Sequence, residues 1–378
     1  MLSLMIGLLC APTAHAQELT PVDIGVDVVP LVGTSSWAQG RDRRSLSLNL
    51  IAGYTGAVEG IELGMGLNIN RLYMHGVQLS GFGNLVGEDV EGIQLTNGIN
   101  LVGGSVDGIQ LSGGVNMVGG SVDGFQAGAG ANVAGLDVDG FQAAGGVNVA
   151  GGSVDGVQAA VGVNVAGGVV DGFQAAAGVN VSGGVDGVQL APVNVAAGHV
   201  DGIQVGLVNV ARSSDFSLGL VNIIWEGRTH VDVWATEDGF GNVALKHGGE
   251  TFHYLYGVGY RSGPEEDQFA WSPIIGAGGH FTLAERLYLD ADLYARHVNE
   301  SEGWTNSLNT QTTGRLVAGL SLGHRLAIFA GPSYNVRISA TDCAPKVAGP
   351  WTTVFIDERE GPVSVRGWPG WTVGVQLL

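Results

Sequence analysis

Apolar and polar residues alternate with a period of two along residues 58–211, and the whole pattern recurs every 15 or 16 residues. Alternation of this kind predicts short β-strands with one face turned inward. A fixed short period predicts stacked copies of one unit, because no single copy can bury its apolar side alone. The recurrence is clearest in a glycine column, which consists of Gly60, Gly76, Gly92, Gly108, Gly124, Gly140, Gly156, Gly172, Gly187 and Gly202.

Two amide columns accompany the glycines. If the copies stack in parallel, each amide lies above its counterpart and can donate a hydrogen bond to it, as in other parallel ladders. We therefore predict two structural ladders. The first contains Gln94, Gln110, Gln126, Gln142, Gln158 and Gln174, and the second contains Asn100, Asn116, Asn132, Asn148, Asn164 and Asn180.

Two corners are predicted in each copy. At Val154-Asp155-Gly156-Val157 the alternation breaks, and Asp-Gly favours a turn. The second corner lies between the amide columns, where two copies lack one residue and one copy has a proline, Pro192. A deletion within a strand would turn every later side chain to the other face, whereas a corner tolerates it. Two strands and two corners make one coil of a β-solenoid.

A different arrangement of the repeats stays open at this stage. Each copy would be one strand of a single large membrane β-barrel that also contains the C-terminal strands, with valines outward and amides inward. Residues 58–211 contain few aromatic residues and no tryptophan. Since spanning strands need aromatic girdles at both interfaces, this favours the solenoid.

The composition changes near residue 212, after which seven of the eight tryptophans occur. Longer segments there alternate over about ten residues, a length typical of outer-membrane strands. They lie at 251–261, 271–281, 286–298, 314–338 and 368–378. We predict an antiparallel outer-membrane-type β-barrel or barrel-like domain over 212–378, with a soluble sandwich as the alternative. Strands within 17–57 alternate similarly and are expected to complete this sheet.

The first 16 residues resemble a secretory signal, with an apolar run followed by Ala14-His15-Ala16. Its removal leaves Cys343 as the single cysteine, which excludes an intrachain disulfide. The formal net charge is −19, and Arg71 is the only Lys or Arg within 58–211. This charge argues against nucleic acid as a partner. We expect an exported protein with the outer membrane as its partner.

No catalytic, cofactor or metal site is predicted. The histidines are scattered without metal-ligand spacing, and the chain contains no G-x-S-x-G or P-loop motif. An acidic residue, such as Asp155, precedes the column glycine in nine of the ten copies, and we interpret this column as a solvated edge. The expected protein is therefore not an enzyme.

The segment from Leu46 through the G-[VIF]-Q and V-N-V columns to 218-LGLVNIIWEG-227, followed by the aromatic strands, resembles a family of bacterial surface-repeat proteins. That family is characterised by its repeats and signal peptide rather than by an activity. The expected function is structural or adhesive, in a cell-envelope protein anchored by its C-terminal barrel-like domain. The alternative is an outer-membrane pore in which repeats and C-terminal strands close into one barrel.

Overall fold

The structure, a computed structural model, describes residues 19–263, 268–323, 325–340, 354–361 and 363–377. The predicted signal segment and Cys343 lie outside these ranges. Within these ranges the fold is all-β with one short helix, and no helix there is long and apolar enough to cross a membrane. The chain forms two compact units. One extends to Ala211 and includes Leu218–Val221, and the other contains Arg212–Ser217 and the residues from Asn222 onward.

The first part of the chain contains mostly short strands. They are β1 (Thr20–Val29), β2 (Val32–Gly33), α1 (Ser35–Ala38, the helix), β3 (Asp42–Asn49), β4 (Ala52–Thr55), β5 (Ala57–Gly64), β6 (Leu67–Asn70), β7 (Met74–Ser80), β8 (Gly83–Val86), β9 (Val90–Thr96), β10 (Ile99–Val102), β11 (Val106–Ser112), β12 (Val115–Val118), β13 (Val122–Gly128), β14 (Ala131–Ala134), β15 (Val138–Ala144), β16 (Val147–Ala150), β17 (Val154–Ala160), β18 (Val163–Ala166), β19 (Val169–Ala176), β20 (Val179–Ser182), β21 (Gly184–Leu190), β22 (Val193–Ala196), β23 (His199–Val205) and β24 (Val208–Ala211).

Longer strands dominate the rest of the chain. They are β25 (Ser213–Leu218), β26 (Val221–Ile224), β27 (Arg228–Thr236), β28 (Gly241–Gly248), β29 (Phe252–Ser262), β30 (Phe269–Ala284), β31 (Leu287–His297), β32 (Asn299–Glu300), β33 (Asn309–Ser321), β34 (Leu326–Ser339), β35 (Ile356–Glu360) and β36 (Val363–Leu377).

The repeats form a β-solenoid of about 11 turns, as predicted. The longer strands from β5 to β23 stack on one side, and the four-residue strands from β6 to β24 stack on the other. Every neighbour is parallel and in register, so that Gly156 lies beside Gly140 and Asn148 beside Asn132. The alternative of one large barrel containing the repeats is wrong, because its sequential strands would be antiparallel.

One of the two predicted corners is misplaced. Strand β17 continues from Val154 to Ala160 through the Asp-Gly pair, and the chain turns instead at residues 151–153, just before it. The alternation is interrupted there because Gly156 has a φ of 127°, within the strand. A Cβ on Gly156 would lie 2.2 Å from the carbonyl oxygen of Gly140, so this column accepts only glycine. The second corner lies between the amide columns, where it was predicted.

The strands within 17–57 also differ from expectation. Strand β1 pairs in parallel with β3, β3 pairs in parallel with β5, and β4 pairs in parallel with β6. They therefore belong to the solenoid, and the prediction that they complete the C-terminal sheet is wrong. The alternation alone predicts a strand but does not identify its neighbour.

The C-terminal unit contains a closed eight-stranded antiparallel β-barrel, which confirms the predicted fold class. Neighbours follow the order β27-β28-β29-β30-β31-β33-β34-β36. Strand β36 pairs with β27 to close the cylinder, with Val233 opposite Val375. The closure excludes the sandwich alternative, which would leave free edges.

Candidate functional site: apolar groove and barrel interior

The two amide columns are hydrogen-bonded ladders in the interior of the solenoid. Side chains of all twelve predicted ladder residues have no exposed surface. In the glutamine ladder, Nε2 of Gln158 donates to Oε1 of Gln142 at 2.8 Å. In the asparagine ladder, Nδ2 of Asn148 donates to Oδ1 of Asn164 at 2.9 Å and to the carbonyl oxygen of Ala159 at 2.8 Å. A stack of valine and alanine side chains fills the remaining interior.

The two ladders have opposite polarity. Each glutamine donates to the preceding coil, as Gln94 does to Gln78, whereas each asparagine donates to the following coil, as Asn84 does to Asn100. The asparagine ladder starts from the donor Asn49, and the glutamine ladder ends at the acceptor Glu62. Asn49 Nδ2 donates to Asn68 Oδ1 and to Glu62 Oε1, both at 2.8 Å.

Glu62 takes the position of a glutamine because two donors converge on it. Its Oε2 accepts from Gln78 Nε2 at 2.8 Å, while its Oε1 accepts from Asn49. A carboxyl group offers two acceptor oxygens, but a glutamine amide would offer one. Burial raises the pKa of the Glu62 carboxyl above its ordinary value, and the hydrogen bonds from Gln78 and Asn49 oppose this shift. Glu62 thus joins the two ladders at their N-terminal end.

A groove follows the outer surface of the solenoid along the corner between the amide columns. Its volume is about 1070 Å³, and none of the described residues that line it is charged. The base consists of the residue that follows each glutamine, with Leu95 and Leu111 toward one end and Leu190 at the other. Between these leucines the same column contains only alanine, at Ala127, Ala143, Ala159 and Ala175. Small side chains in successive coils therefore form the groove.

The barrel strands direct polar side chains inward and apolar side chains outward. In β31, Asp290, Asp292 and Arg296 are buried, whereas Leu293 between them is 62% exposed. Leu245, Val258, Ile275, Leu316 and Val373 are exposed apolar residues of other strands. A barrel that folds in water would have the reverse arrangement.

The interior contains a network of ion pairs. Lys246 Nζ lies 2.7 Å from Asp290 Oδ2, 3.1 Å from Asp292 Oδ2 and 3.3 Å from Asp232 Oδ2. Arg315 Nη2 lies 2.8 Å from Asp292 Oδ2 and 3.3 Å from Asp232 Oδ2. These side chains are at most 2% exposed.

Two histidines complete this network. His253 Nε2 lies 2.7 Å from Asp292 Oδ1, and His280 Nδ1 lies 2.6 Å from Asp290 Oδ1. Ligand atoms of His253, Asp290 and Asp292 lie close enough together to hold a metal ion. However, Lys246 binds both carboxylates at the same place, so a cation already neutralises the site. The geometry favours a structural ion-pair network.

An aromatic layer lies next to the ion pairs. The Arg315 guanidinium lies 4.5 Å from the Trp234 ring and 5.4 Å from the Phe329 ring, and Trp234 contacts Tyr294 edge to face. Beyond this layer, the turn after β27 folds into the barrel. Glu237 Oε1 accepts from Trp368 Nε1 and from Asn335 Nδ2, both at 2.8 Å. Side chains thus occupy successive levels of the interior.

The interior network was not predicted from the sequence. Strands β27 and β28, which contribute Asp232 and Lys246, were not singled out in the sequence. A signal was present, because Asp290 and Asp292 are two residues apart in an otherwise apolar strand and so must share one face. Their partners come from distant strands, which no local pattern indicates.

Comparison with known proteins found no family model that matches this chain and no curated protein with significant sequence similarity.

Proposed function

We propose that this chain is a non-enzymatic cell-envelope protein whose C-terminal barrel is inserted in an outer membrane and whose solenoid is a structural or adhesive element. The single observation that carries the proposal is the inverted polarity of the barrel, with buried ion pairs and an exposed apolar surface. Removing the exposed apolar surface of leucine side chains from water lowers the free energy by about 25 cal/mol per Å² of surface. The hydrocarbon of a bilayer would cover this apolar surface around the whole barrel.

Aromatic residues support the same interpretation. Tyr260 lies opposite Trp271 on neighbouring strands at one end of the barrel. Phe252 and Phe281 lie near the other end, beside the short turns. Outer-membrane barrels concentrate aromatic residues at both interfaces.

The connections between strands suggest an orientation in the membrane. Residues 249–251 and 285–286 are short connections at one end of the barrel, whereas the other end has the longer segment 298–308 and the turn at 237–240, which folds into the barrel. In outer-membrane barrels, the short turns face the periplasm. Leu377 pairs with Val231 near the short-turn end, so both ends of the barrel chain lie there. We therefore propose that the first barrel strand begins, and the last one ends, on the periplasmic side.

We propose neither catalysis nor conduction. The titratable side chains that meet in the barrel, such as Asp292, Lys246 and Arg315, are bound to one another and buried. A general acid or base needs access to substrate. The Trp234, Tyr294 and Phe329 side chains lie across the same interior, where a pore would need water.

Membrane fractionation of the full-length chain tests the proposal. After expression in a Gram-negative host, outer-membrane fractions are washed first with sodium carbonate and then with urea. We expect the protein to stay in the membrane through both washes, because the whole apolar circumference of the barrel is in contact with lipid. Release of the folded protein into the soluble fraction would refute the anchor.

A further inference from the structure

The longer strands of the solenoid carry two parallel columns on their outer face. The first, which we call the ridge, is the residue before each glutamine, and the groove column is the residue after it. The ridge residues Ile109, Phe125 and Phe173 are each more than a third exposed. Phe125 and Phe141 stack along the ridge with ring centroids 5.1 Å apart. One residue, the glutamine, lies between the two columns along the strand, so they are about 7 Å apart.

The sizes of the two columns vary in opposite directions. In the four middle coils the groove residue is alanine, and the ridge residue is phenylalanine in three of them. In the three flanking coils that also line the groove through Leu95, Leu111 and Leu190, the groove residue is leucine and the ridge residue is isoleucine or valine. The pairs are Ile93 with Leu95, Ile109 with Leu111, Phe125 with Ala127, Phe141 with Ala143, Val157 with Ala159, Phe173 with Ala175, and Val188 with Leu190.

We propose that this face is the interface of a homodimer, in which the ridge of each copy occupies the groove of the other. A two-fold axis parallel to the solenoid and between the two columns places coil n of one copy over coil n of its partner. Each phenylalanine then meets an alanine, and each isoleucine meets a leucine. An isologous contact of this kind uses the same patch on both copies. Such a dimer requires that facing ridge and groove residues compensate each other in size, as the pairs along this face do.

Charge supports this axis over the other possible one. The acidic column, such as Asp155, is exposed on the same face two residues before the ridge. With the axis parallel to the solenoid, this column lies over the uncharged corner of the partner. With the axis parallel to the strands, ridge would meet ridge and aspartate would meet aspartate, which is unfavourable for like charges.

The available area is sufficient for a dimer. Seven coils at about 4.8 Å and six to seven residues at about 3.3 Å give about 700–800 Å² per copy. Stable interfaces bury about 800 Å² per partner. Parallel solenoids also place both C-terminal ends on the same side, as two chains anchored in one bilayer require. The dimer itself rests on the solenoid surface alone and does not depend on the proposed membrane anchor.

Sedimentation of the full-length chain in detergent, with protein mass measured separately from detergent, tests the inference. We expect wild type to be a concentration-dependent dimer. The double variant Ala143→Leu and Ala175→Leu fills the groove opposite two phenylalanines. Its dissociation constant should rise at least about tenfold, because overpacking is costly. The fold should persist, since leucine occupies the same column at Leu111 and Leu190.

A compensating variant distinguishes this interface from others. Adding Phe141→Ile and Phe173→Ile to the double variant recreates the combination found at Ile109 and Leu111. Dimerisation should return to within about threefold of wild type. Val149→Leu, on the opposite sheet, is the control and should leave the dimer unchanged. A monomeric wild type, a dimer insensitive to the groove leucines, or a double variant that isoleucine fails to rescue would overturn the inference.

Discussion

At the scale of single residues, Glu62 shows how hydrogen-bond direction determines residue type. It receives donors from Gln78 on one side and from Asn49 on the other. A carboxylate accepts at both oxygens, and in the protonated form the hydroxyl oxygen keeps acceptor capacity while its hydrogen donates, whereas the nitrogen of an amide can only donate. A glutamate in place of a glutamine is therefore required where two ladders of opposite hydrogen-bond direction meet.

Glu62→Gln should change the pH dependence of stability. Because the pKa of Glu62 is raised in the folded chain, the native state binds this proton more tightly than the unfolded state does. Wild type should therefore gain stability as the pH falls toward the ordinary value of 4.5 and lose it as the pH rises through the folded pKa. The variant should lack this contribution.

Denaturant titrations at several pH values would measure this difference. At low pH, where wild-type Glu62 is neutral, the variant should be less stable by about 1–3 kcal/mol, because Asn49 Nδ2 then faces an amide donor. Glu88→Gln, at an exposed turn, is the control. Parallel stability curves for wild type and Glu62→Gln would contradict this account.

At the scale of elements, each coil depends on its neighbours through the ladders. Asn148 accepts from Asn132 at 2.8 Å and donates to Asn164 and to the Ala159 carbonyl. Replacing this side chain removes the partner of one Asn132 Nδ2 hydrogen and of Asn164 Oδ1 in the interior, and it removes one donor to the Ala159 carbonyl. An orphaned buried polar group costs about 1–3 kcal/mol.

Asn148→Leu should therefore lower the free energy of unfolding by at least about 2 kcal/mol. Denaturant unfolding of the full-length chain measures the change. Glu88→Leu introduces a leucine at an exposed turn outside the groove and should cost less than about 0.5 kcal/mol. Equal effects of the two variants would mean that the ladder contributes little to stability.

The repeat elements were largely predictable from the sequence, and their partners less so. A 16-residue period with amides in fixed columns predicts a stacked solenoid, because a parallel in-register stack places like residues together. The corner assigned to Asp155-Gly156 was wrong because glycine with positive φ can also lie within a strand. The groove was not predicted, since it depends on the relative sizes of Ala143 and Leu111 in coils that only the fold brings into line.

At the scale of the whole molecule, the two units are stabilised by different kinds of contact, one between residues near in sequence and the other between residues far apart in sequence. The solenoid is held by local contacts between consecutive coils, as expected of repeat proteins. The barrel is closed by β27 and β36, which lie at opposite ends of its sequence. Its interior ion pairs also join distant residues, such as Lys246 and Asp290. Period and alternation predict the first kind of contact, but not the second.

The central claim is that the outer surface of the barrel contacts lipid, and one substitution tests it most directly. Leu293 lies near the middle of β31 and is 62% exposed. Folding of the full-length chain into phospholipid vesicles, followed by urea titration, gives the free energy of unfolding from the bilayer. Leu293→Lys should lower it by about 2–4 kcal/mol, because lysine would lie in hydrocarbon. Leu136→Lys, at an exposed turn of the solenoid, should leave it unchanged within about 0.5 kcal/mol. A Leu293→Lys variant as stable as wild type would show that this surface faces water, and would contradict the account.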